Sequence, residues 1–371
     1  MFYNSNCGTL EKSVGRFLTK GGLSVKEILS LQKKIVPELV EVLEKRYNIL
    51  RTICYNQPIG RRVLANQLNL GERIVRTEIS FLKSQNLIEI NTPGMTVTEE
   101  GQEVVDRLKD FIHELKGLSD IEESIRSFLG LKHVIIVPGD AHANNAILKE
   151  IGKATANYVK GIIKNNDIIA LTGGNTIKEF VEAFPKINNV SEVLVVPARG
   201  GMGRKVESQA NTLAASLAKK INGSYKMLHI PENLSLKVLD TLLKEKEIKE
   251  VIDTIHKADI LIYGIGNAIE MAEKRGSSLV EIEKLKSLGA VGEAFGCYFN
   301  RDSKVVSENT SIGININQAK HINTHIAVAA GENKVESILA TMMNNKNAVL
   351  VTDESAGREI LEFIKEQVNK L

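Results

Sequence analysis

Five short stretches of this chain carry residue types that could grip an anion. The first, Thr172-Gly173-Gly174-Asn175-Thr176, follows the apolar run DIIAL and opens onto IKEFVEAF. Glycines let backbone N–H groups approach an anion closely, threonines supply hydroxyls, and the first amides of a following helix favour negative charge. Phosphate is the ligand this chemistry suits. The same TGG also makes an ordinary strand-to-helix turn, so by itself the stretch leaves both readings open.

The other four stretches add charge. In Pro197-Ala198-Arg199-Gly200-Gly201 a guanidinium follows directly on an apolar run, where it could hold phosphate bidentately or simply sit in a surface turn. Gly264-Ile265-Gly266-Asn267-Ala268 leads into a helix carrying Arg275, but lacks the third glycine and the acid of a dinucleotide fingerprint, so no nicotinamide cofactor is expected. Gly289 to Gly296 places the single carboxylate of Glu293 among small residues, as a partner for sugar hydroxyls or as a solvated loop acid. In Ala330-Gly331-Glu332-Asn333-Lys334 an ammonium opens a helix, within reach of a phosphate.

Four of these stretches end apolar, β-branched runs, in a series that reads HVIIVPG, DIIALTGG, EVLVVPARGG, KMLHIP, ADILIYGIG, HIAVAAG and AVLVTDESAG, separated by helical segments. Such runs are expected of a parallel sheet buried on both faces, so residues from about 119 to 371 are predicted to form a doubly wound, Rossmann-like α/β domain. Ligands of such sheets bind beyond the carboxyl ends of the strands, where these four stretches fall.

The N-terminal part has a different pattern. Residues 1–30 are interrupted by Gly8, Gly15, Gly21 and Gly22, and no long helix is expected there. From Leu31, apolar residues recur at helical spacing as far as Pro58-Ile59-Gly60. A helix from Arg61 to Leu68, with Val63, Leu64 and Leu68 on one face, is followed by the turn Asn69-Leu70-Gly71. A second helix, Glu72 to Gln85, is expected to bury Ile74, Val75, Ile79, Phe81 and Leu82. The alternating segments Leu87 to Ile90 and Met95 to Thr98, joined by Asn91-Thr92-Pro93-Gly94, complete a winged helix-turn-helix over residues 31–101. A helix over 102–118 would follow as linker or dimer seam.

Charge singles out the same region. Lys45 to Leu87 holds eight basic residues (Lys45, Arg46, Arg51, Arg61, Arg62, Arg73, Arg76 and Lys83) against two acids, Glu72 and Glu78, although the whole chain carries only +3. A charge run is usually a solvated face. One confined to a winged helix is also the footprint of DNA binding, with Arg61, Arg62, Arg73, Arg76, Thr77, Ser80 and Lys83 as the expected contacts. The rest of the composition is that of a globular protein, 43% apolar and 25% charged. No apolar stretch reaches membrane-spanning length and no signal peptide is evident, so a cytoplasmic protein without membrane attachment is expected. Cys7, Cys54 and Cys297 are too few for a disulfide framework, and no metal site is expected.

Several of these segments together resemble the sugar-sensing bacterial repressors of the SorC/DeoR type, including the branch that controls central glycolytic genes. The matching pieces are PIGRR at 58–62, FLKSQNL at 81–87, GMTVTEEG at 94–101, TGGNT, PARGG, SQANT at 208–212, EAFGCYFN at 293–300 and VLVTDE at 349–354. The resemblance runs from about Leu31 to the C-terminus; residues 1–30 extend beyond it. It implies a winged helix-turn-helix joined to an effector domain related in fold to sugar-phosphate isomerases and deaminases, acting as a homo-oligomer, a dimer or tetramer, on operator DNA. In the glycolytic branch it implies fructose-1,6-bisphosphate as the effector that relieves repression. Thr172, Gly173, Gly174, Thr176 and Lys334 would then hold one phosphate, Arg199, Gly200 and Arg275 the other, with Gln209 and Glu293 near the sugar. Asn175 stands where the family commonly has threonine, and Ala330 replaces one of a usual glycine pair.

The alternative is a sugar-phosphate isomerase or deaminase, which needs a positioned acid/base pair. None of the seven histidines lies in a glycine-rich stretch, and Glu293 has no evident partner in the sequence. A non-enzymatic repressor without a cofactor is therefore the expected function. Arg73→Ala and Arg76→Ala should each weaken operator binding and, for each DNA phosphate no longer neutralised, lower the salt slope by about 1, leaving ligand affinity unchanged. Mobility shifts across a salt series measure this.

Overall fold

The computed structural model describes residues 28, 31, 34–200, 205–230, 236–308, 312–343 and 345–369. The expectations for residues 1–30, apart from Ile28, and those for Gly201 lie outside the described residues.

Helix α1 (Pro37–Asn56) begins on a proline, whose missing N–H costs nothing in a first helical turn. Its second half buries Tyr47, Ile49, Leu50 and Ile53, whereas Ile35 and Leu39, expected on the same apolar stripe, are exposed. Helix α2 (Arg61–Gln67) and α3 (Glu72–Ser84) are joined by a turn in which Asn69 takes the left-handed conformation. Strands β1 (Ile88–Asn91) and β2 (Gly94–Val97) pair antiparallel, Ile88 opposite Val97, and form the wing. The helix-turn-helix with its hairpin is thus present.

Its buried faces differ in part from expectation. Helix α3 buries Val75, Ile79 and Leu82, but Ile74 and Phe81 are exposed, and in α2 Leu64 is buried while Val63 is not. The core-facing stripe of α3 repeats at 75, 78/79 and 82, so Glu78 enters it and the neighbouring apolar positions fall outside. Glu78 is held by Arg46 at 2.8 Å and Lys45 at 3.3 Å, and the Arg46 guanidinium lies 3.5 Å above the Phe81 ring. Burial works against ionisation of Glu78, but those two cations outweigh it and keep its carboxyl below the usual range.

Thr98 caps helix α4 (Glu99–Leu115) by accepting from the Gly101 amide at 3.0 Å. The helix therefore starts three residues before the predicted 102. It ends before Gly117, whose φ of +66° begins a new element rather than continuing a linker to 118. A β-carbon at Gly101 would run into the Leu87 carbonyl oxygen, so this first-turn glycine lets the chain entering the wing lie directly against α4. All these elements share one apolar core, from Tyr47 to Leu115.

Helix α5 (Leu118–Leu129) leads into the second region, whose strands are β3 (His133–Val137), β4 (Ile168–Leu171), β5 (Leu194–Pro197), β6 (Ser224–Tyr225), β7 (Ile260–Asn267), β11 (Thr324–Val328) and β12 (Ala348–Asp353). They lie side by side in the order β3-β12-β11-β7-β4-β5-β6, every pair parallel. Alternate side chains enter two cores: Ile169 and Leu171 go to one, Ala170 to the other, as a strand's period of two requires. KMLHIP is not the sixth strand; that strand is the two residues before it, with the Lys226 amide still reaching the Val195 carbonyl.

The last three residues of β7 leave the parallel set and pair antiparallel with β8 (Ala290–Ala294), which continues into β9 (Cys297–Asn300) and β10 (Val305–Glu308). Gly264 to Asn267 and Gly289 to Gly296, expected as loops, are therefore largely strands. Their glycines serve packing. A side chain on Gly266 would collide with Met271, and one on Gly292 would press on the Ser337 backbone. From β4 the chain moves outward to β5 and β6, then returns to β7 and moves the opposite way to β11 and β12. Between β4 and β7 the order reverses.

Candidate functional site

At that reversal, Thr172 leaves β4 with its amide on the Ile262 carbonyl, 3.0 Å away, and its hydroxyl accepts from the Gly264 amide at 3.3 Å. Gly173 backs onto a neighbouring turn, where a β-carbon would lie 2.7 Å from the Ser208 carbonyl oxygen and 3.2 Å from the Ala210 amide. Gly174, at φ +125°, donates to that same Ser208 carbonyl at 2.9 Å and caps helix α7 (Asn175–Ala183). Both glycines are thus required by the backbone: one for close approach, one for its conformation. The first amides of α7 have no acceptor within the helix, and its dipole points its positive end at this loop. Gln209, the cap of helix α8 (Ala210–Lys220), sits in the turn against which the loop rests.

The cations stand on the neighbouring strand ends. Arg199 follows β5 and is buried; Gly200 carries no side chain because one would meet the Ile230 carbonyl, 2.7 Å from a β-carbon. Glu293, on β8 opposite Gly266, is buried too and accepts from Arg275 Nη2 at 2.8 Å and from the Gly296 amide at 2.5 Å, with Arg199 Nη1 3.7 Å away. Gly296, at φ +87°, lies so close that a β-carbon would overlap the Arg199 guanidinium. Arg275, the C-cap of helix α11 (Ala268–Lys274), donates its other nitrogen to the Tyr298 hydroxyl at 3.0 Å, and its side chain is 2% exposed. Both of these bonds go to protein groups, so Arg275, expected as a phosphate contact, is paired with Glu293 and Tyr298 in this structure.

Lys334 ends a single 3-10 turn after β11, before helix α14 (Val335–Met342), and its ammonium lies 2.9 Å from Glu270 on α11. That contact, with Lys274 adding to it, holds the Glu270 carboxyl below its ordinary range. The loop carrying Lys334 is anchored through Gly331, whose amide donates at 3.0 Å to the fully buried Asp353 at the end of β12.

Structure thus brings Thr172, Gly173, Gly174 and Gln209 into one loop cluster, and Arg199, Arg275 and Glu293 into one ion cluster. It sets Lys334 against the same helix, α11, that Arg275 caps. Thr172, Arg199 and Lys334 follow the carboxyl ends of β4, β5 and β11, with β7 between β4 and β11, while Glu293 stands on β8. Sequence reasoning did not single out Glu270, Tyr298, Ser208 or Asp353. Tyr298 and Asp353 do stand within the EAFGCYFN and VLVTDE segments. The groups are of types that suit a polyanion bearing hydroxyls; among the described residues no cluster of His, Cys, Asp and Glu could hold a metal ion.

The candidate DNA contacts are separate. Arg61, Arg62, Arg73, Arg76, Thr77, Ser80 and Lys83 are all exposed on α2 and α3. The Thr77 and Ser80 hydroxyls donate back to the Arg73 and Arg76 carbonyls at 3.1 and 3.0 Å, and Arg62 lies 3.7 Å from Glu72. Three other basic residues of this segment face elsewhere: Lys45 and Arg46 hold Glu78, and Arg51 is buried against Glu150 at 3.1 Å. The solvent-facing charge is therefore narrower than the sequence count. Among the described residues no helix is long and apolar enough to cross a membrane.

Comparison with known proteins agrees with the two-part chain. Residues 113–362 match the family described as "Putative sugar-binding domain", and residues 42–112 match the CggR N-terminal DNA binding domain. The chain is 41% identical over 335 residues to the central glycolytic genes regulator of Bacillus subtilis (strain 168), covering 90% of this chain and 98% of that protein. It is 38% identical over 338 residues to the regulator of the same name from Priestia megaterium, covering 91% and 99%. Among solved structures it is similar to a SorC family transcriptional regulator from Enterococcus faecalis, with TM-score 0.62 and 35% identity over 65% of this chain and 99% of that one. The full-length sorbitol operon regulator of Klebsiella pneumoniae, 16% identical, shares the fold over 92% of this chain and 100% of its own, with TM-score 0.62.

Removing one partner of a buried ion pair leaves the other charge uncompensated. Arg275→Met should lower stability to urea by about 3–5 kcal/mol, and Arg275→Met with Glu293→Gln should recover a large part of it. A loss below about 1 kcal/mol in the single variant would show that Glu293 does not depend on Arg275.

Proposed function

The chain belongs to the SorC-type family of sugar-binding transcriptional regulators, and from that premise we propose that it represses glycolytic genes and releases its operator when a phosphosugar, fructose-1,6-bisphosphate, binds the effector domain. Its relatives are named transcription regulators, and it is a regulator rather than a sugar-phosphate isomerase or deaminase. The names of the Bacillus subtilis and Priestia megaterium regulators supply the glycolytic gene set; the effector rests on the chemistry of the pocket.

The observation that carries the effector is that Thr172, Arg199 and Lys334 follow neighbouring parallel strands on either side of the order reversal, where ligands of open α/β sheets bind. The Thr172–Thr176 loop, the N-terminus of α7 and Lys334 suit one phosphate. Arg199 and the glycine after it suit a second, with Gln209 and Glu293 placed for sugar hydroxyls. In this arrangement Arg275 orients Glu293 from behind. A ligand phosphate replaces a carboxylate as the partner of Lys334, so the site exchanges one anion for another and no bare cation has to be maintained.

Binding that favours one effector-domain state over another shifts the protein away from the state whose winged helices fit an operator, by as much as the ligand's differential affinity allows. Two such helices acting together require a homo-oligomer, a dimer or tetramer. Calorimetry against a panel of glycolytic phosphates and mobility shifts on the chain's own upstream DNA test the proposal. Arg199→Ala and Lys334→Ala should each weaken fructose-1,6-bisphosphate binding by about 10- to 100-fold, the worth of a charge-assisted bond, while DNA binding without sugar persists. Unaltered affinity in both variants would overturn the pocket assignment.

A further inference from the structure

Beyond the two binding regions, the described residues contain a continuous set of buried polar contacts that no binding role accounts for. It starts in the DNA-binding part. Arg51 of α1 is 3% exposed, lies 3.1 Å from Glu150 on helix α6 (Ala146–Ile162), and donates at 2.9 Å to the Pro138 carbonyl in the loop after β3. The next residue, Thr52, accepts from Asn144 Nδ2 at 3.1 Å. Gly139, at φ +111°, leaves room for the guanidinium, since a β-carbon there would stand 3.0 Å from Arg51 Nη2. Burial pushes the Glu150 carboxyl up, with Arg51 pulling the other way. An ion pair removed from water in this way adds little to stability compared with an apolar contact, and here the Arg51 Nε and Glu150 Oε1 atoms are buried together without a hydrogen bond.

The same loop is gripped from its other side by two consecutive acids. Asp353 is wholly buried. Its Oδ2 accepts from the Ala141 amide at 2.8 Å, and its Oδ1 from the Gly331 amide at 3.0 Å. One carboxylate therefore spans the loop that meets Arg51 and the loop that carries Lys334, in which the Lys334 amide closes onto the Gly331 carbonyl at 3.0 Å. Glu354 accepts from the Gly139 amide at 2.9 Å and from Lys116 Nζ at 2.6 Å, and Lys116 lies between α4 and α5 where the two regions join. Burial opposes the charge on Glu354, but Lys116 and Arg358 prevail and hold its carboxyl below the ordinary range.

We propose that Asp353 and Glu354 are the positioning residues that transmit occupancy of the Lys334 loop to the DNA-binding part, through the Pro138–Asn144 loop and Arg51. The inference rests on the phosphosugar reading above for the identity of the effector, but not for the contacts themselves. A ligand that draws Lys334 away from Glu270 moves the turn whose first residue is tied to Asp353. The carboxylate cannot follow without changing its bond to Ala141, because each oxygen already serves one loop. The displacement passes to Pro138 and Gly139, hence to α1 at Arg51 and to the junction at Lys116. Coupling of this kind needs one element that both sites bias. The loop from Pro138 to Asn144 meets that requirement, with contacts to both sides over seven residues.

The test uses the full chain and variants chosen to keep the fold. Asp353→Asn retains the helix cap while presenting an amide N–H where one of the two backbone donors now points. Lys116→Met removes only the junction contact. In the protein without sugar, amide hydrogen exchange should rise at least threefold at residues 138–144 and 49–56 in Asp353→Asn. Unchanged exchange at 49–56 would overturn the proposal whatever the effector is. With fructose-1,6-bisphosphate, Lys116→Met should bind the sugar within about threefold of wild type; Asp353→Asn alters the anchor of the Lys334 loop, so coupling in both variants is compared at saturating sugar. They should also bind operator without sugar within threefold, yet show at least a tenfold smaller effect of sugar on operator affinity. Undiminished coupling in both variants would likewise overturn it. Failure of the wild-type chain to bind the sugar would instead overturn the effector assignment, with the exchange result still deciding the relay.

Discussion

Where strand order reverses, between β4 and β7, two neighbouring parallel strands send their following segments to different parts of the sheet. The gap between those segments leaves the N-terminus of α7 at the crevice, and the positive end of its dipole favours an anion there. The rest of the effector domain answers this constraint. Glycines 173 and 174 bring the backbone close to the crevice, Arg199 and Lys334 come in from the flanking strands, and carboxylates on β8 and α11 hold the cations in place. A crevice built this way suits an anion before any particular sugar is considered.

The cost of burying charge explains why these groups occur as clusters rather than singly. Glu293 satisfies one guanidinium and one amide directly, with a second guanidinium near, and Asp353 accepts from two loops and its own helix. Each carboxylate left without such donors would cost several kcal/mol in a dry interior. Satisfying them ties distant segments together, and the contacts that make the buried acids tolerable are those through which the proposed relay runs.

How much of this was legible in the sequence depended on the physics of each element. The parallel strands were plain, because burial on both faces demands continuous β-branched runs, and HVIIV, DIIAL and AVLVTD carry them. The helix-turn-helix was equally plain, since its turn and hairpin leave local marks at Asn69-Leu70-Gly71 and Pro93-Gly94. Gly264 to Asn267 and Gly289 to Gly296 misled, because their glycines make room for Met271 and for the Ser337 backbone, a tertiary reason that mimics a loop. Phe81 and Ile74 misled for a related reason: with Glu78 drawn into the core by Lys45 and Arg46, the buried stripe of α3 passes beside them. The roles of Arg51, Glu150 and Asp353 could not be found locally at all, since their partners lie far away along the chain.

The central claim is that the sugar crevice and the operator-binding helices share one energy balance. Linkage makes that claim reciprocal: whatever factor fructose-1,6-bisphosphate costs operator binding, operator must cost the sugar. Calorimetric titration of fructose-1,6-bisphosphate into the full chain, alone and saturated with its upstream operator, measures this directly. The account predicts that operator weakens sugar binding by the same factor, about 5- to 150-fold for coupling of 1–3 kcal/mol, by which sugar weakens operator binding in a mobility-shift series. Equal sugar affinity with and without DNA would contradict it.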